Sequence, residues 1–312
     1  MFAKFLTTLT ALLTFVVAAH GAERMETHTW LVGDMPIIKV ETFKGSIRIE
    51  PADSGQVELT LEAQASGKNA SQWLDRLTVK ASPFGAGIVV AVKQTGLGVD
   101  FSTSRLPQRE VNLVLRVPQP CVLDLKSEFG NIEVADDFRG QTRARVHTGD
   151  IFVGRVDGSV NAETRSGNVI ISRATGDVNA RSYFGDLHVG SIAGQAVLRA
   201  DHGNIDVVNS TGSLKAEAVK GDITAGMSRQ IFGDAHLETA AGDVFVDIDP
   251  DSELEIQART SWGKVRSGLA LEEYGKSSKS RLNGMLNGGG ALLALRAKGG
   301  NVHIKSVPTY GL

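Results

Sequence analysis

Cysteine is almost absent from this chain: Cys121 is the only one among 312 residues. No internal disulfide can form, and a zinc ribbon or finger built on cysteine pairs is excluded. Aromatic residues are scarce at 6%, and there are only 8 prolines. Neither sign of charge dominates, with 33 Lys+Arg against 35 Asp+Glu and a formal net charge of −2. A nucleic-acid binder needs a basic footprint over the phosphates, which this balance does not supply. A disordered acidic chain is excluded too, because 42% of the residues are apolar and can build a core. Beyond the N-terminal segment no stretch approaches the roughly 20 apolar residues of a membrane-spanning helix. Glycine, by contrast, is plentiful: 35 of 312 residues, about 11% against a usual value of roughly 7%.

Residues 1–21 read as a secretory signal peptide. Lys4 precedes an uncharged run from Phe5 to Ala19 that ends in small residues, and cleavage after Ala19 or Gly21 would suit a signal peptidase. With no Cys nearby, lipid anchoring through an N-terminal Cys is excluded. The expected product is an exported chain, periplasmic or at the cell surface, soluble or held to the envelope through a partner.

From Gly149 to Gly221 a glycine falls every nine residues without a miss, at 149, 158, 167, 176, 185, 194, 203, 212 and 221. Gly130 and Gly140 lead into the series, and Gly233 and Gly242 resume it. The glycines alternate in kind. One set precedes Asx and an aliphatic, as in Gly149-Asp150-Ile151, Gly167-Asn168-Val169 and Gly185-Asp186-Leu187. The other set is Gly158-Ser159-Val160, Gly176-Asp177-Val178, Gly194-Gln195-Ala196 and Gly212-Ser213-Leu214. The true repeat is therefore about eighteen residues in two arms. Within each arm the apolar period is two, as in Leu187/Val189 and Val178/Ala180, which signals strands bounded by turns. A helix would be penalised by a glycine every few turns.

Two short strands per rung, stacked about 4.8 Å apart, predict an all-β, two-sheet β-solenoid with less regular strands capping both ends. Glycine would hold a positive φ at each corner, and the following Asx would accept backbone bonds within the turn. The expected division is residues 1–21 signal peptide, 22–120 N-terminal strands capping the solenoid, and 121–266 regular repeats. A Gly/Ser-rich loop at 267–290 and closing strands at 291–312 complete it. Residues 69–76 suit one helical turn.

The strand VNLVLRVP (111–118), the phrase SEFGNIEV (127–134), then TGDI, SGNV, FGDL and HGNI, and a final GGNVHI (299–304) carry a resemblance. Together with the leader they resemble the bacterial β-strand-repeat family of unknown function grouped as adhesin-like proteins, over roughly residues 30 to 305. The resemblance implies an exported solenoid and supplies no catalytic residue.

Chemistry leaves little trace. Gly275-Lys276-Ser277 ends like a phosphate-binding loop, but Ala270 stands where its first glycine belongs. His147, His188 and His202 lack metal spacing and read as surface histidines. The column Asn131, Asp150, Asn168, Asp186, Asn204, Asp222 lacks the paired glycines and converging carboxylates of a calcium roll, and Asn alternates with Asp. Asp247, Asp249, Asp251 and Glu253 form the densest acidic cluster, but Ser252 and Ala258 break an EF-hand pattern, so a solvated rung end is expected. Cys121 reads as a small buried hydrophobe. Exposed rows are expected at Phe152 with Ile170, at Arg181 with Arg199, and at Phe129 and Phe184. The apolar pair Phe152 and Ile170 is read as a partner surface or, preferably, as covered by the N-terminal strands.

These readings predict no catalytic residue, no cofactor, no metal and no nucleic-acid partner. The function expected is a non-enzymatic, adhesin-like interaction or scaffold protein whose partner is an envelope protein or surface glycan. The competing expectation is a carbohydrate-active β-helix enzyme, a lyase or hydrolase, with an Asp/Glu/Arg groove.

Overall fold

The computed structural model describes residues 12–18, 21–67, 69–94, 109–227 and 233–307. Most of the expected leader lies outside them, although Leu12–Ala18 forms a strand antiparallel to Gly21–Leu31. The fold is a β-solenoid, with about 70% of the chain in strands. It packs as two compact units, residues 1–154 and 155–312.

In the second unit the eighteen-residue rung is explicit. Val178–Phe184 pairs in parallel with Val160–Ser166 before it and with Ala196–His202 after it, while Leu187–Ile192 pairs with Val169–Ala174 and Ile205–Ser210. First arms thus build one sheet (A) and second arms the other (B). Their inward residues meet in the core. Sheet A contributes continuous aliphatic rows such as Leu187, Ile205, Ile223 and Val244, all buried. Sheet B alternates size from rung to rung, with Ala180, Leu198, Ala216 and Leu237 in one buried column. Along these four rungs large side chains stack beside small ones, as close packing of a core favours. Buried hydroxyls stand in the next inward column, where Ser182 Oγ donates to the Gly167 carbonyl at 3.0 Å and Thr239 Oγ1 to that of Gly221 at 2.8 Å.

The two glycine sets differ in part, since Gly158 of the second set shares the positive φ of the first at 155°. Gly167, Gly185, Gly203, Gly221 and Gly242 have φ between 142° and 153°, which favours glycine. Gly176, Gly194 and Gly212 fall outside the positive-φ residues, contrary to expectation; at each, a Cβ would run into the backbone of the glycine one rung below. Their need for glycine is close stacking.

The end of the second unit also departs from the expected order. Ala291–Ala297 is not outermost; it lies between Ala235–Ala241 and Leu254–Thr260, parallel to both. Val302–Ser306 lies likewise between Val244–Ile248 and Val265–Ser267. The arm ALLALRA suits an interior strand, whereas LEIQART points Glu255, Gln257 and Arg259 outward at the edge. Segment 267–290 is not only a loop. Arg281–Leu286 pairs antiparallel with Leu254–Thr260 and covers what would be a bare edge. Gly284 makes room in that strand for Leu271.

In the first unit, rung 37–52, with its corner at Gly45, lies between 121–134 on one side and 87–94 with 109–118 on the other. This interleaving joins the N-terminal strands to the first repeats. Gln56–Ser66 pairs antiparallel with Arg109–Pro118 and with Gly21–Leu31, while Leu77–Phe84 pairs antiparallel with Gly87–Gln94. The expected helical turn is Ala70–Asp75, which buries Trp73 and Leu74 at this end.

Candidate interaction surfaces

The Asx column is a ladder between rungs, where a bond inside each turn was expected. The backbone N–H of Asp186 donates to Asn168 Oδ1 at 2.9 Å, that of Asn204 to Asp186 at 2.7 Å, and that of Asp222 to Asn204 at 2.9 Å. Asp243, Asn301 and Lys264 continue it at 2.8, 2.7 and 3.0 Å, in the interleaved rung order. In the first unit Asp150 N–H donates to Asn131 Oδ1 at 2.9 Å. Each of these side chains therefore holds a neighbouring backbone. Burial pushes the Asp243 carboxyl up, but hydrogen bonds from Asn301 and the adjacent His303 outweigh it and hold the group below its usual range.

An open apolar groove of about 840 Å³ lies in the first unit, lined by His28, Trp30 and Leu31 from one strand and by Val79, Ala81 and Pro83 from another. Beneath it runs a polar clamp. Arg24 donates to the carbonyls of Leu74 and Leu77 at 2.6 and 3.0 Å and pairs with Glu26, whose other oxygen lies 3.2 Å from His28 Nε2. His28 stacks on Trp30 with ring centroids 5.6 Å apart. Arg24 thereby satisfies a carbonyl left open at the end of the short helix. No local sequence signal marks this set beyond the alternation Arg24, Glu26, His28, Trp30 along one strand.

A second groove, about 470 Å³ and polar, opens on the outer face of sheet B in the second unit. One row crosses it strand by strand: Glu238 faces Arg296, Arg296 faces Arg259, and Arg259 faces Arg281. A parallel row holds His236, Ala294, Gln257 and Asn283. Lys298 lies 2.8 Å and Arg296 3.7 Å from Glu238. The hydrogen bond from Lys298, helped by the charges of Arg296 and Arg259, outweighs burial and lowers the Glu238 carboxyl. Tyr274 donates to Glu255 at 2.6 Å beside Gln257.

Residues 37–305, from the first rung to the final strand, match the Toastrack DUF4097 family. The chain belongs to that family. Among solved structures the Toastrack chain is similar to a putative adhesin from Bacteroides fragilis at 12% identity, over 91% of this chain and 97% of that one, with a TM-score of 0.40. It is similar also to a putative adhesin from Parabacteroides distasonis at 14% identity, over 72% and 96% of the two chains, with a TM-score of 0.44. No curated protein matches it.

The Toastrack scaffold places the singled-out residues as follows. His147, His188 and His202 are exposed; His188 lies 3.8 Å from Asp206, and His202 stacks on Phe184 at 5.1 Å. Phe129 packs edge-on against Phe43 and His147 at a corner of the first unit. Phe152 is 39% exposed and Ile170 half-buried, so the preferred reading of a covered pair is corrected for Phe152. Arg181 and Arg199 are neighbours, both bonded to Asp201, at 3.2 and 3.1 Å. The acidic cluster is not wholly solvated: Asp249 is 4% exposed and accepts the Asp251 backbone N–H at 2.9 Å, because the chain turns back there around Pro250. Cys121 is fully buried, and burial pushes its thiol up to about 12, which leaves it a protonated hydrophobe. Among the described residues no helix is long and apolar enough to cross a membrane, and no group of three or more His, Cys, Asp or Glu is placed to hold a metal.

Proposed function

We propose that this Toastrack protein is an exported, non-enzymatic scaffold that presents its outward rows to an envelope partner. The observation that carries the reading is the Asx ladder: the most regular array of carboxylates and amides in the chain is engaged in joining rungs. Among the described residues the outside carries charged rows at strand spacing and open grooves, the form of a binding surface. The leader supports export: Lys4 precedes an uncharged run that ends in small residues, and cleavage after Ala19 or Gly21 would remove the strand Leu12–Ala18.

Fractionation with N-terminal sequencing, together with assays on a polysaccharide panel, tests the proposal. The expected result is an envelope or extracellular protein beginning at His20 or Ala22 that releases no product from any substrate. A cytoplasmic chain with its leader intact would refute export. Turnover abolished by Glu238→Gln or Glu255→Gln alone would establish the competing reading, a carbohydrate-active enzyme.

A further inference from the structure

The arginine row on the second unit sets like charges side by side on adjacent strands. Arg259 and Arg281 stand directly opposite each other in an antiparallel pair, and Arg296 flanks Arg259 on its other side. Like charges facing across strands destabilise a sheet. Glu238, the one carboxylate continuing the row, is paired with Lys298 at 2.8 Å and with Arg296 at 3.7 Å, and reaches no further along it. Among the described residues, no ion pair within 4.0 Å engages Arg259 or Arg281. On the same sheet the facing pair Arg181 and Arg199 is compensated: both bond Asp201, and Arg199 also lies 3.5 Å from Glu217. Three guanidiniums on adjacent strands, about 4.8 Å apart per step, form a cationic track roughly 10 Å long.

We infer that this groove binds a carboxylated oligosaccharide of the uronic-acid type. A planar guanidinium takes a carboxylate through two parallel hydrogen bonds, and a row of them matches a chain whose carboxylates recur. The neighbouring row supplies His236, Gln257 and Asn283, donors and acceptors suited to sugar hydroxyls, with the small Ala294 between His236 and Gln257. A single small anion would leave most of the track unused. A duplex nucleic acid would meet Glu238 and then Glu217 on the next strands, so the basic footprint ends where a longer polyanion would need it. The inference deepens the scaffold reading by naming a ligand class, and it rests on that reading only in treating the groove as non-catalytic.

The test is calorimetric titration of the mature chain with oligogalacturonate, with its methyl ester, with inorganic phosphate and with duplex DNA. Binding is expected for the free acid alone, weakening as salt rises from ~50 to ~200 mM. Arg259→Gln and Arg281→Gln should each weaken it by about tenfold or more. Both variants should fold and melt no lower than the parent, since each removes a like-charge contact. A binding site maintained against that repulsion is thus separated from a merely structural pair. Equal binding of the methyl ester, unchanged affinity in both variants, or preferential binding of phosphate or DNA would overturn the inference. Absence of binding to all four probes would overturn it as well, while leaving export and lack of turnover to be judged by their own assays.

Discussion

At the scale of single residues, glycine serves the corners in two ways that substitution separates. Gly185 has φ 142°, and a Cβ there would strike the Gly167 carbonyl oxygen. Gly185→Val should therefore cost more than about 3 kcal/mol in a urea melt, strain and collision adding. Gly212 lies outside the positive-φ set, yet a Cβ there would strike the Gly194 carbonyl oxygen, so Gly212→Ala should also be strongly destabilising. If backbone conformation alone selected these glycines, that second variant would melt like the parent. Leu187 is fully buried in the sheet A row, and Leu187→Ala should cost about 2–5 kcal/mol by opening a cavity. Arg199, exposed within its charge network, should cost no more than about 1 kcal/mol on change to alanine. Both leucine and glycine positions were legible in the sequence, because burial alternates with period two and the corners recur with period nine. That Gly176, Gly194 and Gly212 serve stacking was not legible, since a repeat of glycine does not distinguish φ from clearance.

At the scale of elements, the Asx ladder makes acid stability a local matter. The Asp243 carboxyl titrates below its usual value of 3.8 in the folded chain. A lowered folded value means that its stabilisation is complete above the unfolded value and is lost as pH falls through the folded one. Asp243→Asn keeps an oxygen acceptor for the Asn301 N–H but not the charge, so melts should show lower stability than the parent at pH 7 and a smaller further loss below about pH 4. An unchanged acid limb would show that this rung contact does not couple to folding. Element positions such as Leu254–Thr260 and Ala291–Ala297 were readable from alternation to the residue. Their neighbours were not. Strand order is set by which edges need covering and which arms tolerate burial on both sides, and neither leaves a periodic mark. The same reason hid the arginine row, whose members come from three segments that become adjacent only through interleaving, and it hid Arg281–Leu286 inside a Gly/Ser-rich stretch.

At the scale of the whole molecule, a solenoid derives its stability from each rung and its contacts with neighbours, so a complete rung can be removed more safely than part of one. The Asx ladder and the facing pair Arg181 and Arg199 depend on the eighteen-residue register. Deleting residues 187–204 removes one full rung and joins Asp186 to Ile205, which restores the Gly-Asx-aliphatic corner and the parity of both sheets. Deleting residues 187–195 removes one arm and joins Asp186 to Ala196, sending second-arm residues into sheet A and reversing the order of every later strand pair. Chemical denaturation of the two deletions, followed by circular dichroism, tests the account most directly. The full-rung deletion should fold and melt cooperatively near the parent, and the single-arm deletion should fail to fold or melt far below it. A single-arm deletion as stable as the full-rung deletion, or a full-rung deletion that cannot fold, would contradict the eighteen-residue rung.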